Sequence, residues 1–321
     1  MKAKKTPLGM VSATGSTPEG MPLSHNRAPK EFLRPWIARL GVTAVTLPKG
    51  QSISCGAFTE FPLIRVIYGS PWTAVTASGA KTFTPGDDGL ALYFGPFTKK
   101  MELTAHGSFK VVSINLAPGG MRDLGMPDPG TVTDEVMLLH SAIGEHAPVP
   151  DLAPDDDATA WIGSVEEHIA AEIRKIDPSR PPSIVEDFET LCLADPGASL
   201  DEFAESHQIT RRTLERVIGR EFGVSPRFAM RRARALDIAA ALLNIAMEDE
   251  EAELHLRYFD QSHLTREMHQ FFGTTPGRLK KGPNPLLRIN LEIRQSRRLE
   301  MLERLGCDEP RPWRDPEAEP R

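Results

Sequence analysis

The chain has 321 residues, of which 40% are hydrophobic and 26% charged, and its net charge is −6. That length leaves room for two domains. No apolar run approaches the roughly 18 residues of a membrane helix, so no membrane partner is expected. The three scattered cysteines (Cys55, Cys192, Cys307) argue against a disulfide framework and a cysteine zinc site. A cytoplasmic location is expected.

In chain order, residues 1–30 place Lys2, Lys4 and Lys5 among Pro7, Gly9, Gly15, Pro18, Gly20 and Pro22, without an apolar core segment. The stretch does not read as a signal peptide; a disordered arm is expected. From about 32 to 117 the pattern is strand-like. Leu63, Arg65 and Ile67 alternate with Ile64, Val66 and Tyr68. Further β-prone runs follow at Trp72 to Thr76, Leu90 to Phe94, Met101 to Leu103 and Phe109 to Leu116, with Gly and Pro between them. Such spacing predicts an antiparallel sandwich or barrel, and a small barrel is the expectation. Residues 133–146 and 158–176 are expected to be helices, the second with Trp161, Val165, Ile169 and Ile173 at spacings of four. Linkers at 151–157 and 177–183 close a front domain over 31–180. A second domain is expected over 184–305, opening with an amphipathic helix through Ile184, Phe188, Leu191 and Cys192, and 306–321 is a tail.

The second domain contains a duplication. Thr210–Leu214 is followed by Phe222, Gly223, Val224, Ser225 and Pro226; fifty residues on, Asp260–Leu264 is followed by Phe272, Gly273, Thr274, Thr275 and Pro276. The constant offset sets Leu on Leu, Phe on Phe, Gly on Gly and Pro on Pro. Ser199 with Glu202 forms a capping box, and Leu200, Phe203 and Ala204 give its helix a buried face. Gln208 and Ile209 make a turn. Thr210 caps the next helix, with Leu214, Val217 and Ile218 facing inward. Ser225 and Pro226 then cap a long helix, expected from Phe228 to about Met247, that joins the two copies. The segment Met247–Glu253 before the second copy is strongly acidic. Pro285 begins a last helix with Leu287, Leu291, Leu302 and Leu305 along one side and Arg294, Arg297 and Arg298 opposite. It is expected to pack back on its domain; a basic helix touching DNA or a partner is the alternative.

Charge is divided unevenly. Residues 31–198 hold 12 Lys/Arg against 22 Asp/Glu, whereas residues 210–234 hold eight Arg against two Glu. A local basic patch, not the chain total, matters for phosphate binding.

The pattern over about 199–281 resembles the DNA-binding domain of AraC/XylS-type transcription regulators, in which one long helix joins two helix-turn-helix units. The resemblance implies double-stranded DNA as partner, read by two helices in successive major grooves roughly 34 Å apart. Carried over by position, the base readers are Arg212, Glu215 and Arg216 in the first unit and Gln261, Ser262, Thr265 and Arg266 in the second. Arg suits guanine and Gln adenine bidentately. Arg211, Thr213, Arg220, Arg227, Arg231, Arg232 and His263 are assigned to phosphates. The chain departs from the family at Glu253, usually a small residue, and at Arg257, usually Gly. The acidic segment would repel phosphate, so the main grip is expected at 211–234.

Such regulators commonly carry a cupin-like front domain. The stretches Tyr93–Thr98 and Val111–Gly120 are similar to the front domains of one subgroup. The implied fold is α+β: an N-terminal cupin-like antiparallel β-barrel with following helices, then a C-terminal all-α domain with two helix-turn-helix units joined by a long helix. A small-molecule effector and a homodimer are both open expectations.

An enzyme is not expected. His106 is the one histidine in the 32–117 strand region, too few for a two-His-one-carboxylate metal site. Neither a P-loop nor a GxGxxG run is present. No metal or other cofactor is expected. A cupin-like enzyme with an accessory helical domain, and an interaction protein with a degenerate second unit, are the competing readings.

Overall fold

A computed structural model describes residues 23–144, 150, 152–153, 156–245 and 261–304. Residues 1–22, the acidic segment 247–253, parts of the linker at 151–157, Leu305, Cys307 and the tail 306–321 lie outside the described residues.

Two antiparallel sheets make the front part. The six-stranded sheet runs β1 (Leu23–Arg27), β2 (Ile37–Val45), β9 (Phe109–Leu116), β4 (Leu63–Gly69), β7 (Leu90–Phe94) and β10 (Val136–Leu138). The four-stranded sheet runs β3 (Ile53–Ala57), β8 (Met101–Ala105), β5 (Trp72–Thr76) and β6 (Gly79–Phe83). Strand alternation sorts residues into two cores, because successive side chains leave opposite faces of a sheet. On β4, Leu63 and Ile67 join Trp72, Phe94, Leu103 and Val111 between the sheets. Ile64, Val66 and Tyr68 face the other way, under helix α2 (Ala158–Ile176). That helix buries the predicted stripe of Trp161, Val165, Ile169 and Ile173, and Asp157 caps it by accepting from the Ala160 amide at 2.8 Å.

Three expectations need correction. Residues 23–27 of the expected arm form β1, paired along β2, and Arg27 anchors them to the buried Glu166 of α2 with N–O distances of 2.9 and 2.8 Å. The helix expected over 133–146 is strand β10 followed by the short helix α1 (Leu139–Ile143). Backbone pairing with β7 takes Val136 to Leu138 into the sheet, so tertiary context overrides the local pattern. Strands β3 and β6 have no counterpart in the sequence expectation. Their Gly- and Ala-containing runs, ISCGA and GAKTF, carry weak strand signals.

The helical part comprises α3 (Ser183–Ala194), α4 (Leu200–Ser206), α5 (Arg211–Phe222), α6 (Pro226–Leu242), α7 (Gln261–Phe272), α8 (Pro276–Lys281) and α9 (Pro285–Arg304). Helix α6 stops near Leu243, short of the expected Met247, with Asn244 in the left-handed region. Helix α9 lies against the front sheets. Its Leu286, Leu287 and Leu291 share one apolar cluster with Cys55, Ala57 and Phe58 of the β3 region and with Phe271 and Phe272 of α7. The Phe58 amide donates to Asn290 at 3.1 Å. Arg294 and the partly buried Arg297 and Arg298 are therefore turned into the protein, which removes the alternative of a basic α9 face on DNA. Cys55 and Cys192 are buried thiols, and burial pushes Cys55 up to about 11, away from reactivity.

Candidate nucleic-acid interface

The two copies of the repeat fold alike where the sequence repeats. Thr210 accepts a hydrogen bond from the Thr213 amide at 3.2 Å and starts α5; Ser225 accepts from Phe228 at 3.3 Å and starts α6. Thr275 accepts from Arg278 at 3.4 Å and starts α8. Each such cap satisfies an amide that the first helical turn leaves without a partner. Pro226 and Pro276 take the first helical position, where no N–H is needed. Gly223 and Gly273 end α5 and α7 with φ of 70° and 66°, the left-handed conformation that glycine adopts without a Cβ penalty.

In the first unit, Ser199 caps α4 by accepting from the Glu202 amide at 3.3 Å. Gln208 takes a left-handed conformation (φ 54°) and turns the chain into α5. Leu214, Ile218 and Phe222 of α5 are buried against Phe188 of α3, Ala204 of α4 and Ala229, Met230 and Ala233 of α6. This fixes the opposite face outward, where Arg212, Glu215 and Arg216 are exposed. Arg211 reaches Asp201 at 3.0 Å and Glu215 at 3.3 Å, and the Thr213 hydroxyl is 3.0 Å from that of Thr210.

The expected phosphate set divides. Arg227 is exposed in the first turn of α6. Arg232 is a correction. It is 1% exposed and donates to the Phe97 carbonyl of the front part at 2.8 Å. Its place on α6 faces the sheets, so it cannot meet a phosphate. Arg220 is paired with Glu221. Arg231 ties α6 to α7 through Glu267 at 3.0 Å and Gln270 at 2.7 Å, with its guanidinium over Phe271. The sequence showed a basic run at 210–234, but not which members the packing would consume.

In the second unit, Met268, Phe271 and Phe272 of α7 are buried. Ser262 and Arg266 are exposed, Thr265 is half-buried, and Arg266 Nε donates to the Ser262 carbonyl at 3.2 Å. The side chains of Gln261 and His263 lie outside the described residues. Arg278, Lys280 and Lys281 on α8 are exposed cations that the sequence reading did not assign. The signal was the basic ending GRLKK of the 257–281 stretch.

A family model described as a helix-turn-helix domain matches residues 203–282. Residues 203–282 therefore form a helix-turn-helix domain. The match spans α5 to α8 entire and begins within α4. A comparison with curated proteins finds no match. Among solved structures, ToxT from Vibrio cholerae is 9% identical with a TM-score of 0.43, covering 75% of this chain and 97% of its own. Unsaturated fatty acid bound wild-type ToxT from Vibrio cholerae strain SCE256 is 11% identical with a TM-score of 0.43, covering 75% and 94%. The AraC-like transcriptional activator CuxR is 12% identical with a TM-score of 0.26, covering 67% and 86%.

The front part also touches the first unit directly. The 3-10 turn Pro129–Thr131 sits against the end of α5. A Cβ on Gly223 would lie 2.8 Å from the Pro129 carbonyl carbon and 3.0 Å from the Gly130 nitrogen. Phe61, in the loop before β4, packs edge-on against Phe222 at 5.1 Å. No helix among the described residues is long and apolar enough to cross a membrane. No group of three or more His, Cys, Asp or Glu able to hold a metal occurs among them either.

Proposed function

We propose that this chain is an AraC/XylS-type transcription regulator that reads promoter DNA with α5 and α7 in successive major grooves, and that its front sheets form a non-catalytic part that senses a small molecule, mediates self-association, or both. The observation that carries the reading is the repeated geometry of α5 and α7. Both end in a left-handed glycine fifty residues apart, and a Pro-capped helix follows each. Arg212, Glu215 and Arg216 would read bases in the first unit, and Gln261, Ser262, Thr265 and Arg266 in the second. Arg227 would bind phosphate beside α5. Arg278, Lys280 and Lys281 would do so beside α7, so the cationic grip is shared between the units instead of residing mainly at 211–234. The domain division at 180–184 and a cytoplasmic location belong to the same reading.

Substitution of Arg212 and Arg216 by Ala tests the base readers. Each is expected to weaken specific binding by about 1–3 kcal/mol and to relax preference at one base position. Joint substitution of Lys280 and Lys281 is expected to weaken binding to all sequences and to flatten the salt dependence by about one unit per lost phosphate contact. Unchanged specific binding in the Arg212 and Arg216 variants would remove α5 as a reader.

A further inference from the structure

Helix α6 carries one of the two outward-facing helices on each side. Its Ala229, Met230 and Ala233 share an apolar cluster with Leu214, Ile218 and Phe222 of α5. With about 3.6 residues per turn, Phe228, Arg231 and Ala235 lie on the other side of α6, toward α7. There Phe228 meets Phe271 edge-on with ring centroids 5.5 Å apart, and Ala235 shares a cluster with Met268, Phe271 and Phe272. Apolar burial holds α7 close but has no direction of its own. How α7 is turned about its axis is left to groups that do have direction.

Arg231 supplies such groups at this contact. Its Nε donates to Glu267 at 3.0 Å and its Nη2 to Gln270 at 2.7 Å, while the guanidinium lies 5.8 Å from the Phe271 ring centroid. The two acceptors are three residues apart and so share one flank of α7. That flank lies between the buried face of Met268, Phe271 and Phe272 and the exposed Ser262 and Arg266. A guanidinium is a rigid planar fork, so both bonds are kept at one rotation of α7 only. Glu267 is 2% exposed, and a buried carboxylate that loses its cation is costly. The helix is therefore held at that rotation.

We propose that Arg231 is a positioning residue that sets the rotation of α7 on α6, and through it the half-site spacing that the two reading helices accept. This rests on the reading of α5 and α7 as the DNA-contacting helices. Ser262, Thr265 and Arg266 turn with Glu267 and Gln270, because all five belong to one helix. One base pair turns a half-site by about 35° around the duplex, so a reading helix of fixed rotation meets the base edges at one spacing. Without the Arg231 fork, α7 rolls on its apolar contact and follows a displaced half-site.

The test uses the full chain. The parent protein selects its preferred duplex from a randomised double-stranded DNA library, which defines two half-sites and their spacing. Binding is then measured on that duplex, on duplexes with the spacing lengthened or shortened by one base pair, and on a duplex that keeps only the first half-site. The main variant joins Arg231→Met to Glu267→Gln, so that no buried charge is stranded. Its preference for the selected spacing over the shifted ones is expected to fall several-fold, with binding to the first half-site alone unchanged. Arg231→Lys, which keeps the charge but loses the fork, and Gln270→Ala, at an exposed position, should each lose part of that preference. A spacing preference equal to the parent's in the double variant overturns the proposal. So does a uniform loss at every spacing with a salt slope lower by about one unit, which is the mark of a phosphate contact. Should the double variant fail to fold, Arg231→Lys and Gln270→Ala decide: an unchanged spacing preference in both overturns the role of Arg231. A parent protein that selects a single half-site or no DNA overturns the two-helix reading itself, and this is seen before any variant is compared.

Discussion

Arg294 of α9 donates to Glu60, in the loop between β3 and β4, at 2.8 Å, and so ties the last helix to the front sheets. The same guanidinium pairs with Asp237 of α6 and donates to the Cys192 carbonyl at the end of α3, 3.2 Å away. One buried cation therefore joins the front sheets and three helices. Burial pushes Asp237 up to about 6, against the pull of Arg294.

Removing the cation should strand two buried carboxylates. Arg294→Met is expected to cost about 3–5 kcal/mol, seen as a large fall in the midpoint of thermal or urea unfolding. A triple variant that adds Glu60→Gln and Asp237→Asn should recover much of the loss, because no charge is then left unpaired. A cost below about 1 kcal/mol for Arg294→Met would show that these carboxylates are reached by water or a proton instead.

Arg212 and Arg232 are both arginines of the basic stretch, but their substitutions should separate cleanly. Arg232→Ala empties a buried site and leaves the Phe97 carbonyl without its donor, so it should lower stability by about 1–3 kcal/mol and leave the salt slope of DNA binding unchanged. Arg212→Ala should instead keep the stability and weaken specific binding by about 1–3 kcal/mol. A reduced salt slope in Arg232→Ala would contradict the placement of Arg232.

The paired glycines give a test within one chain. Gly273→Ala meets open space but must hold φ near 66°, which should cost about 1 kcal/mol. Gly223→Ala has the same backbone cost and drives a Cβ to 2.8 Å from Pro129. It should therefore be clearly the more destabilising of the two in urea unfolding. Equal costs would mean that the Pro129–Thr131 turn yields freely.

Acid should loosen β1 before it unfolds the rest. Burial pushes Glu166 up, but Arg27 and the Lys30 amide at 2.7 Å outweigh it and hold the carboxyl below its usual 4.5. A depressed carboxyl contributes stability that is full above the unfolded value and is lost as pH falls through the folded one. Glu166→Gln should thus cost about 1–2 kcal/mol near neutrality, and its difference from the parent should shrink as pH drops below about 4.5. A difference that stays constant down to about pH 3 would contradict the ion pair's role.

Much of the fold was legible locally. The fifty-residue repeat fixed the caps at Thr210, Ser225 and Thr275 and the helix-ending Gly223 and Gly273, because capping depends on side chains within a few residues of the backbone they satisfy. The strands of the six-stranded sheet from β2 to β9 were legible through alternation, and α2 through its fourfold spacing. Strands β1, β3 and β10 were not, since their backbones become strands only by pairing with partners far along the chain. The fate of the arginines was likewise invisible. Arg212 and Arg232 look alike in a sequence, and only the packing of α6 on the sheets turns one to solvent and buries the other. By itself the sequence determined that the chain carries a helix-turn-helix domain and where the capped helices of its repeat begin. Tertiary structure alone decided which cations remain exposed and that α9 packs against the front sheets, because burial and pairing depend on contacts that no local pattern encodes.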